Sequence, residues 1–252
     1  MLDYSNAILN KVVSLCKNRG YFFQASEIYG GLNGLYDKGH LGVLLEENIK
    51  RSWKNHMLRS GFQMIQYDGT IIGHSEMWKA SGHVDGFHDP MLDCKSCKAR
   101  FLSNDIDIDK ACAKCGAKDW SNVKQFNMMF STNIGAVSSD GSKAYLRPET
   151  AQSIFAQFKN IFSTGRAKVP FGVMQCGKAF RNEITPRQFL FRLREFSQME
   201  MEFFVHQNDV GQYFDFWVEK RMDFFSLIGL SKSRTKIREY ESDELAHYSS
   251  RT

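Results

Sequence analysis

From Gln175 to Val205 the chain reads QCGKAFRNEITPRQFLFRLREFSQMEMEFFV. Two strand-like segments, 171–183 and 189–205, flank a polar ITPRQ connection, which predicts a hairpin. Alternate residues of a strand share a face. On a regular second strand Arg192, Arg194, Phe196, Gln198, Glu200 and Glu202 lie on one side. Leu193, Met199, Met201, Phe203 and Val205 lie on the other, interrupted by Glu195 and Ser197, and this is the side expected to bury. On the preceding strand Arg181 and Glu183 share a face. A solvated face laced with cross-strand ion pairs would account for the charges alone, but their order carries more. Arginines near the turn suit a polyphosphate bound bidentately. Carboxylates further along suit a cation or an ammonium group, and Phe196 between them suits stacking by a planar base. A nucleoside triphosphate beside a small amine satisfies all three.

Outward from this hairpin the periodicity is helical. Pro148 is placed to open a helix with Ile154, Phe155, Phe158, Ile161 and Phe162 on one face. A second amphipathic helix is expected over roughly 209–229, with Phe214, Trp217, Val218, Met222 and Phe225. Upstream, Leu45, Ile49, Trp53 and Met57 recur every fourth residue on a core-packing helix whose other faces carry Lys50, Arg51 and Lys54. Ile8, Leu9, Val12, Val13, Leu15 and Cys16 predict a first helix stopped at Gly20, and 26–42 reads as an ordered, glycine-punctuated loop. Short strands are expected at 62–67 and 71–72, either side of Asp68-Gly69. Helices flanking long antiparallel strands predict an α+β fold.

Residues 91–120 differ from both flanks, being rich in Cys, Lys, Asp and Ala and poor in large apolar side chains. They are read as an insertion between 1–90 and 121–252. Such a segment needs something other than a core to hold it. Cys94/Cys97 and Cys112/Cys115 form two Cys-x-x-Cys pairs at the spacing of a four-thiolate zinc site, which is favoured over two disulfides or unpaired thiols. Four protein ligands leave no open position, so such a zinc would be structural. Cys16 and Cys176 read as ordinary buried thiols.

Composition sets the outer bounds. With 252 residues, 42% hydrophobic and 13% aromatic, the chain can bury a sizeable core and is not disordered throughout. Only 4 Pro beside 19 Gly excludes a collagen-like polymer, and a net charge of +5 permits a polyanionic partner without requiring one. No run approaches the roughly 18 apolar residues of a membrane helix. The N-terminus lacks the pattern of a secretory signal, so the expected compartment is the cytoplasm.

Phe180-Arg181-Asn182-Glu183, a loop, then Arg192-x-x-x-Phe196 resembles motif 2 of the class II aminoacyl-tRNA synthetases. The longer string FRNEITPRQFLFRLREFSQMEMEFF is similar to the homodimeric type of glycyl-tRNA synthetase. SEIYGGLNGLYD (26–37), MWKASGHVDGFHDP (77–90), LRPETAQSIF (146–155) and DELAHYS (243–249) fit the same family in the same order. The resemblance implies a class II antiparallel sheet, ATP and Mg²⁺, glycine and tRNA(Gly) as substrates, and a homodimer.

It also implies roles for residues at matching positions. Arg181 would bind the α-phosphate of ATP and the amino acid carboxylate, and act as the catalytic residue. Glu183 would hold the adenine amino group, Arg192 the γ-phosphate, and Phe196 would stack on adenine. Asn182, Phe191, Leu193, Arg194 and Glu195 complete the implied ATP site. Glu149, Phe196, Ser197, Gln198, Met199 and Glu200 would line the glycine pocket. Glu149 also has a plain reading as a helix-start charge. The implied reaction is attack by glycine on the α-phosphate with loss of pyrophosphate, then transfer of glycine from the adenylate to tRNA. A pocket closed around the α-carbon rejects larger amino acids by overlap, so no editing step is expected.

The sequence departs from the family in four places. Lys38-Gly39-His40-Leu41-Gly42 replaces the usual Tyr-Gly-Pro-Leu-Gly, Leu102 stands where a substrate-binding arginine is usual, with Arg100 nearby, and Ser153 replaces Gly. The chain also reaches Thr252 without a motif 3 or an anticodon-binding domain. It is therefore expected to be the catalytic portion of a longer ligase. The alternatives are a truncated, non-catalytic paralogue that binds ATP or RNA, and a zinc-ribbon nucleic-acid binder, which the ordered motif 2 residues disfavour.

Overall fold

A computed structural model describes residues 2–136, 142–184, 186, 189–246 and 248–252 of the chain. Thr185, Arg187 and Gln188 of the ITPRQ connection, and His247 of the DELAHYS segment, lie outside the described residues.

The elements run α1 (Leu2–Asn18), β1 (Phe22–Gln24), β2 (Tyr36–Lys38), α2 (His40–Leu58), β3 (Gln63–Gln66), β4 (Ile72–His74), α3 (Ser75–Ala80) and α4 (His83–Gly86). Then come β5 (His88–Asp93), β6 (Arg100–Leu102), β7 (Lys124–Asn127), β8 (Ser131–Asn133) and β9 (Lys143–Leu146). The chain continues with α5 (Ala151–Ala156), α6 (Phe158–Thr164), β10 (Phe171–Phe180), β11 (Glu195–Phe204) and α7 (Val210–Leu227).

The central sheet has the order β11-β10-β3. β10 and β11 are antiparallel over ten pairs, from Phe171↔Phe204 to Phe180↔Glu195, while β3 joins the other edge of β10 in parallel. As the middle strand, β10 is apolar on both faces at its start: Phe171, Val173 and Met174 are all buried. On one side of the sheet Val173 and Phe171 pack with Ile154 and Ile161. On the other, Met174 packs with Trp53 and Met57 of α2 and Phe224 of α7, with Met199 and Met201 beside them. The apolar stripe of α2 thus points into the core at Trp53 and Met57 and emerges at Leu45, which is exposed.

Several expectations shift. The 26–42 stretch is not loop throughout, because β2 pairs with β1 and α2 begins at His40. The helix expected from Pro148 is two helices, beginning at Ala151 and broken at Gln157. The break turns Phe155 and Phe162 toward the surface while Ile154 and Ile161 stay buried. The strands of the hairpin are shorter than expected, ending at Phe180 and beginning at Glu195, so Arg181, Glu183, Arg192 and Arg194 belong to irregular chain. Strand alternation therefore does not position those four. Two further three-stranded antiparallel sheets, β4-β9-β8 and β6-β5-β7, complete the described fold. The second brackets the cysteine segment. No helix among the described residues is long and apolar enough to cross a membrane.

Candidate active site

The front face of β11 presents Phe196, Gln198, Glu200 and Glu202, and the turn after β9 brings Glu149 and Thr150 over it. The Thr150 N–H donates to Gln198 Oε1 at 3.1 Å, and its hydroxyl donates to Glu200. Thr150 is fully buried, and its carbonyl accepts from Gln175 Nε2 on the neighbouring β10. Gln175 Oε1 in turn accepts from the Gly69 N–H at 3.1 Å. This lattice holds the strand face, the Pro148-Glu149-Thr150 turn and the Asp68-Gly69 turn together.

Three carboxylates meet here. Burial first, and then the charge of Glu149, raise Glu200 above the usual carboxylate range against the opposing Thr150 bond. Burial, then Glu200 and Glu149, push Glu202 up to about 7. Glu149 goes the other way: burial would raise it, but hydrogen bonds from His83 and Gln152 outweigh that and lower it. The cluster is a low-dielectric, electronegative recess suited to an ammonium group.

Arg181 closes the recess. Its guanidinium carbon lies 5.4 Å from the Phe87 ring centroid and 5.3 Å from that of Phe196, and its Nε–H donates to Pro148 O at 3.1 Å. Two aromatic faces and a backbone carbonyl thus orient a cation beside the carboxylates. Backbone bonds fix the chain around it, from Phe180 N–H to Arg147 O, Arg181 N–H to Arg194 O and Asn182 N–H to Met128 O, all within 2.7–2.9 Å. Arg147 is buried, donating from Nη1 to Gly69 O and from Nε to Lys178 O, each at 2.6 Å. Gly177 makes room for it, since a Cβ there would sit 2.1 Å from Arg147 Nη2.

The other motif 2 side chains separate. Glu183 is buried, with burial raising its pKa and Arg192, whose Nε stands 3.3 Å from Oε2, opposing. Arg192 is half exposed beyond that contact. Arg194 is engaged by carbonyls, from Nε to Glu183 O at 2.9 Å and from Nη1 to Asn33 O at 2.7 Å. The glycine-punctuated loop thereby ties down the end of the hairpin. Phe191 is exposed.

Ser197 and Met199, expected in the glycine pocket, face the opposite way from Gln198 and Glu200, because β11 is regular there. Ser197 donates to Glu46 of α2, and Met199 belongs to the Trp53 core. Both, with Leu193 and Glu195, line a cavity of about 320 Å³ between the hairpin and α2. Lys178 pairs there with Glu195 at 2.8 Å. Arg100, near Leu102, makes a two-pronged contact with Asp93 through its guanidinium, at 2.8 and 3.3 Å. His83, Phe87, Thr150 and Gln152 carry no individual signal in the sequence, although Gln152 stands three residues after Glu149, the spacing at which helical side chains meet.

In the insertion, Cys94 and Cys112 are buried and Cys115 is exposed. Cys94 Sγ lies 3.6 Å from Cys115 Sγ and Cys97 Sγ 3.8 Å from Cys112 Sγ, with all four sulfurs within 4.8 Å of one another. A tetrahedron with zinc–sulfur bonds of about 2.3 Å has sulfurs about 3.8 Å apart, so the set can hold such an ion. The two knuckles share a backbone plan. Lys98 N–H donates to Cys94 O and Gly116 N–H to Cys112 O, each at 2.8 Å, with φ of 59° and 75° at those donors. The Cys97 and Ser96 N–H groups point at the Cys94 sulfur, and the first of these is the main cause of its pKa falling to about 7.

The chain is similar to known proteins along most of its length. A family profile described as the tRNA synthetase class II core domain (G, H, P, S and T) matches residues 132–252. Curated glycine–tRNA ligases are similar along nearly the whole chain. That of Borreliella afzelii (strain PKo) is 46% identical over 242 residues, covering 95% of this chain and 54% of the relative. That of Treponema denticola is 44% identical over 244 residues, covering 95% and 54%, and that of Caldanaerobacter subterraneus subsp. tengcongensis is 41% identical over 271, covering 97% and 59%. The chain thus spans about half the length of the curated relatives it matches. Among solved structures, the RNA binding domain of threonyl-tRNA synthetase from Cryptosporidium parvum aligns at a TM-score of 0.58 with 16% identity, covering 85% of this chain and 42% of that one. Giardia lamblia prolyl-tRNA synthetase in complex with prolyl-adenylate aligns at 0.57 with 15% identity, covering 84% and 34%. These two share the fold. Residues 132–252 thus match the class II tRNA synthetase core domain, and along 95% of its length the chain is similar to glycine–tRNA ligases.

Proposed function

We propose that this chain forms the adenylating part of a glycine–tRNA ligase, activating glycine with ATP for transfer to tRNA(Gly). The observation that carries the reading is the placement of Arg181. It is held between Phe87 and Phe196, beside Glu149, Gln198 and Glu200 on one face of the sheet. An anion-binding group beside an ammonium-binding recess is what an amino acid carboxylate and an α-phosphate need when they are to react.

Arg181 would face the charge that develops as a glycine carboxylate oxygen attacks the α-phosphorus and pyrophosphate leaves, with Mg²⁺ accompanying the triphosphate. Catalysis of this kind is positioning and charge stabilisation, and requires no protein nucleophile. Glu149 and Glu200 would orient the ammonium group. Buried Glu183 and its neighbour Asn182 would meet the base, and the exposed edge of Arg192 the γ-phosphate. A tRNA terminal hydroxyl would then attack the adenylate carbonyl, releasing AMP. Zinc in the Cys94/Cys97/Cys112/Cys115 set would be structural. A homodimer and a cytoplasmic location complete the proposal, on the resemblance to the homodimeric type of glycyl-tRNA synthetase.

Glycine-dependent exchange of pyrophosphate into ATP tests it. Arg181→Ala should reduce exchange by at least about a hundredfold with the fold intact. Full exchange in that variant would remove the site assignment. ATP or RNA binding without exchange, both here and in a longer natural chain, would leave the non-catalytic paralogue instead.

A further inference from the structure

Both protein donors to Glu149 reach the same oxygen. Gln152 Nε2–H donates to Oε1 at 2.7 Å, and His83 Nε2 stands 3.3 Å from that same Oε1. Among the described residues no hydrogen bond to Oε2 is present, although the side chain is only 26% exposed.

His83 is itself fixed. Its Nδ1 lies 2.9 Å from Ser81 Oγ, whose only other hydrogen-bond partner among the described residues is Trp78 O at 3.2 Å. The Ser81 hydroxyl donates to Trp78 O, and a carboxylate oxygen only accepts, so the contact between His83 and Glu149 carries its hydrogen on Nε2, pointing at Glu149. The ring is packed against Trp78 and Phe87, with centroids 5.3 and 5.8 Å away. Phe87 also faces the Arg181 guanidinium. The segment from Trp78 to Phe87 therefore supports both the cation and the carboxylate of the site.

We infer that His83 is a positioning residue for amino acid recognition, anchoring Glu149 Oε1 so that Oε2 stays open to the substrate ammonium. This rests on the glycine-activating reading. Glycine has no side chain to orient it, so its ammonium and carboxylate carry the recognition. A Glu149 already restrained on one oxygen loses less rotamer freedom when the substrate arrives.

The test is calorimetric titration of the chain with ATP and with a non-hydrolysable sulfamoyl analogue of glycyl-adenylate. His83→Phe keeps a ring against Trp78 and Phe87 but has no donor. It should weaken analogue binding about tenfold, the worth of one charge-assisted hydrogen bond, with ATP affinity unchanged. His83→Gln, which can place an amide N–H near the position of Nε2, should recover most of the loss. Wild-type affinity in His83→Phe, equal loss of analogue and ATP, or no recovery in His83→Gln would each overturn the inference. Glu149→Gln separates the two levels. If it binds the analogue as wild type does, Glu149 is not the ammonium site and the inference fails. If wild type binds ATP and not the analogue, the glycine reading itself fails.

Discussion

β10 and β11 exchange ten successive residue pairs, and Trp53, Met57 and Phe224 pack behind them against Met174 of β10. The segment from Cys94 to Gly116 has no comparable core: of its side chains only Cys94 and Cys112 are buried, and its two knuckles converge on four sulfurs. Position in the hairpin is set by register, since a one-residue slip would carry Gln198 and Glu200 to the rear face. Position in the insertion is set by convergence on one point. The first arrangement spreads its stabilisation over many contacts, and the second concentrates it in one centre.

Metal removal probes that contrast with the largest expected effect. Chelation, or Cys112→Ser, should abolish amide-exchange protection over residues 94–117, because structural zinc binding is worth on the order of 10 kcal/mol. Protection of the β10–β11 ladder should persist. If both regions open together, they form one cooperative unit and the contrast is broken. The reciprocal experiment is Trp53→Ala, which empties a fully buried site behind the sheet. It should cost about 3–5 kcal/mol in denaturant unfolding without releasing the metal.

The two regions also differed in how readily sequence disclosed them. The cysteine spacing pointed directly to a four-sulfur centre, because knuckle geometry is local. The rear core of the hairpin was equally legible from Met199, Met201 and Phe203 alternating along β11. The arginines were legible as a set, but not what holds them, because Arg181 and Arg194 are fixed by Phe87, Pro148 O and Asn33 O, contacts distant in sequence. Ser197 and Met199 turn away from the recess. Kinship placed them in the glycine pocket as a contiguous run, but strand alternation sends every second residue to the rear. His83 was hidden for the same reason as the arginine contacts, since only the fold brings α4 to Glu149.

Within the hairpin, Gly177→Ala should have a smaller effect. Its Cβ would displace the buried Arg147 guanidinium from Gly69 O and Lys178 O, so unfolding should show a loss of about 1–3 kcal/mol. A neutral result would mean that Arg147 moves freely and that the turn at Gly69 does not depend on it.

The smallest effect is a pH dependence at Glu202, where the stability of the sheet and the electronegativity of the site compete. Burial, then Glu200 and Glu149, raise this carboxyl from an ordinary 4.5 to about 7. Between those values the folded chain keeps a proton that the unfolded chain has released, so ionisation costs stability as pH rises through the window. Glu202→Gln should therefore stabilise the chain near pH 8, by about 1 kcal/mol once solvent screening of a partly exposed group is allowed for. Near pH 4, where both states are protonated, the substitution should change little. Denaturant midpoints at the two pH values measure the difference directly. A stabilisation equal at both would place its origin in packing rather than charge, and Glu202 would then have no part in the electronegative recess that Glu149 and Glu200 form.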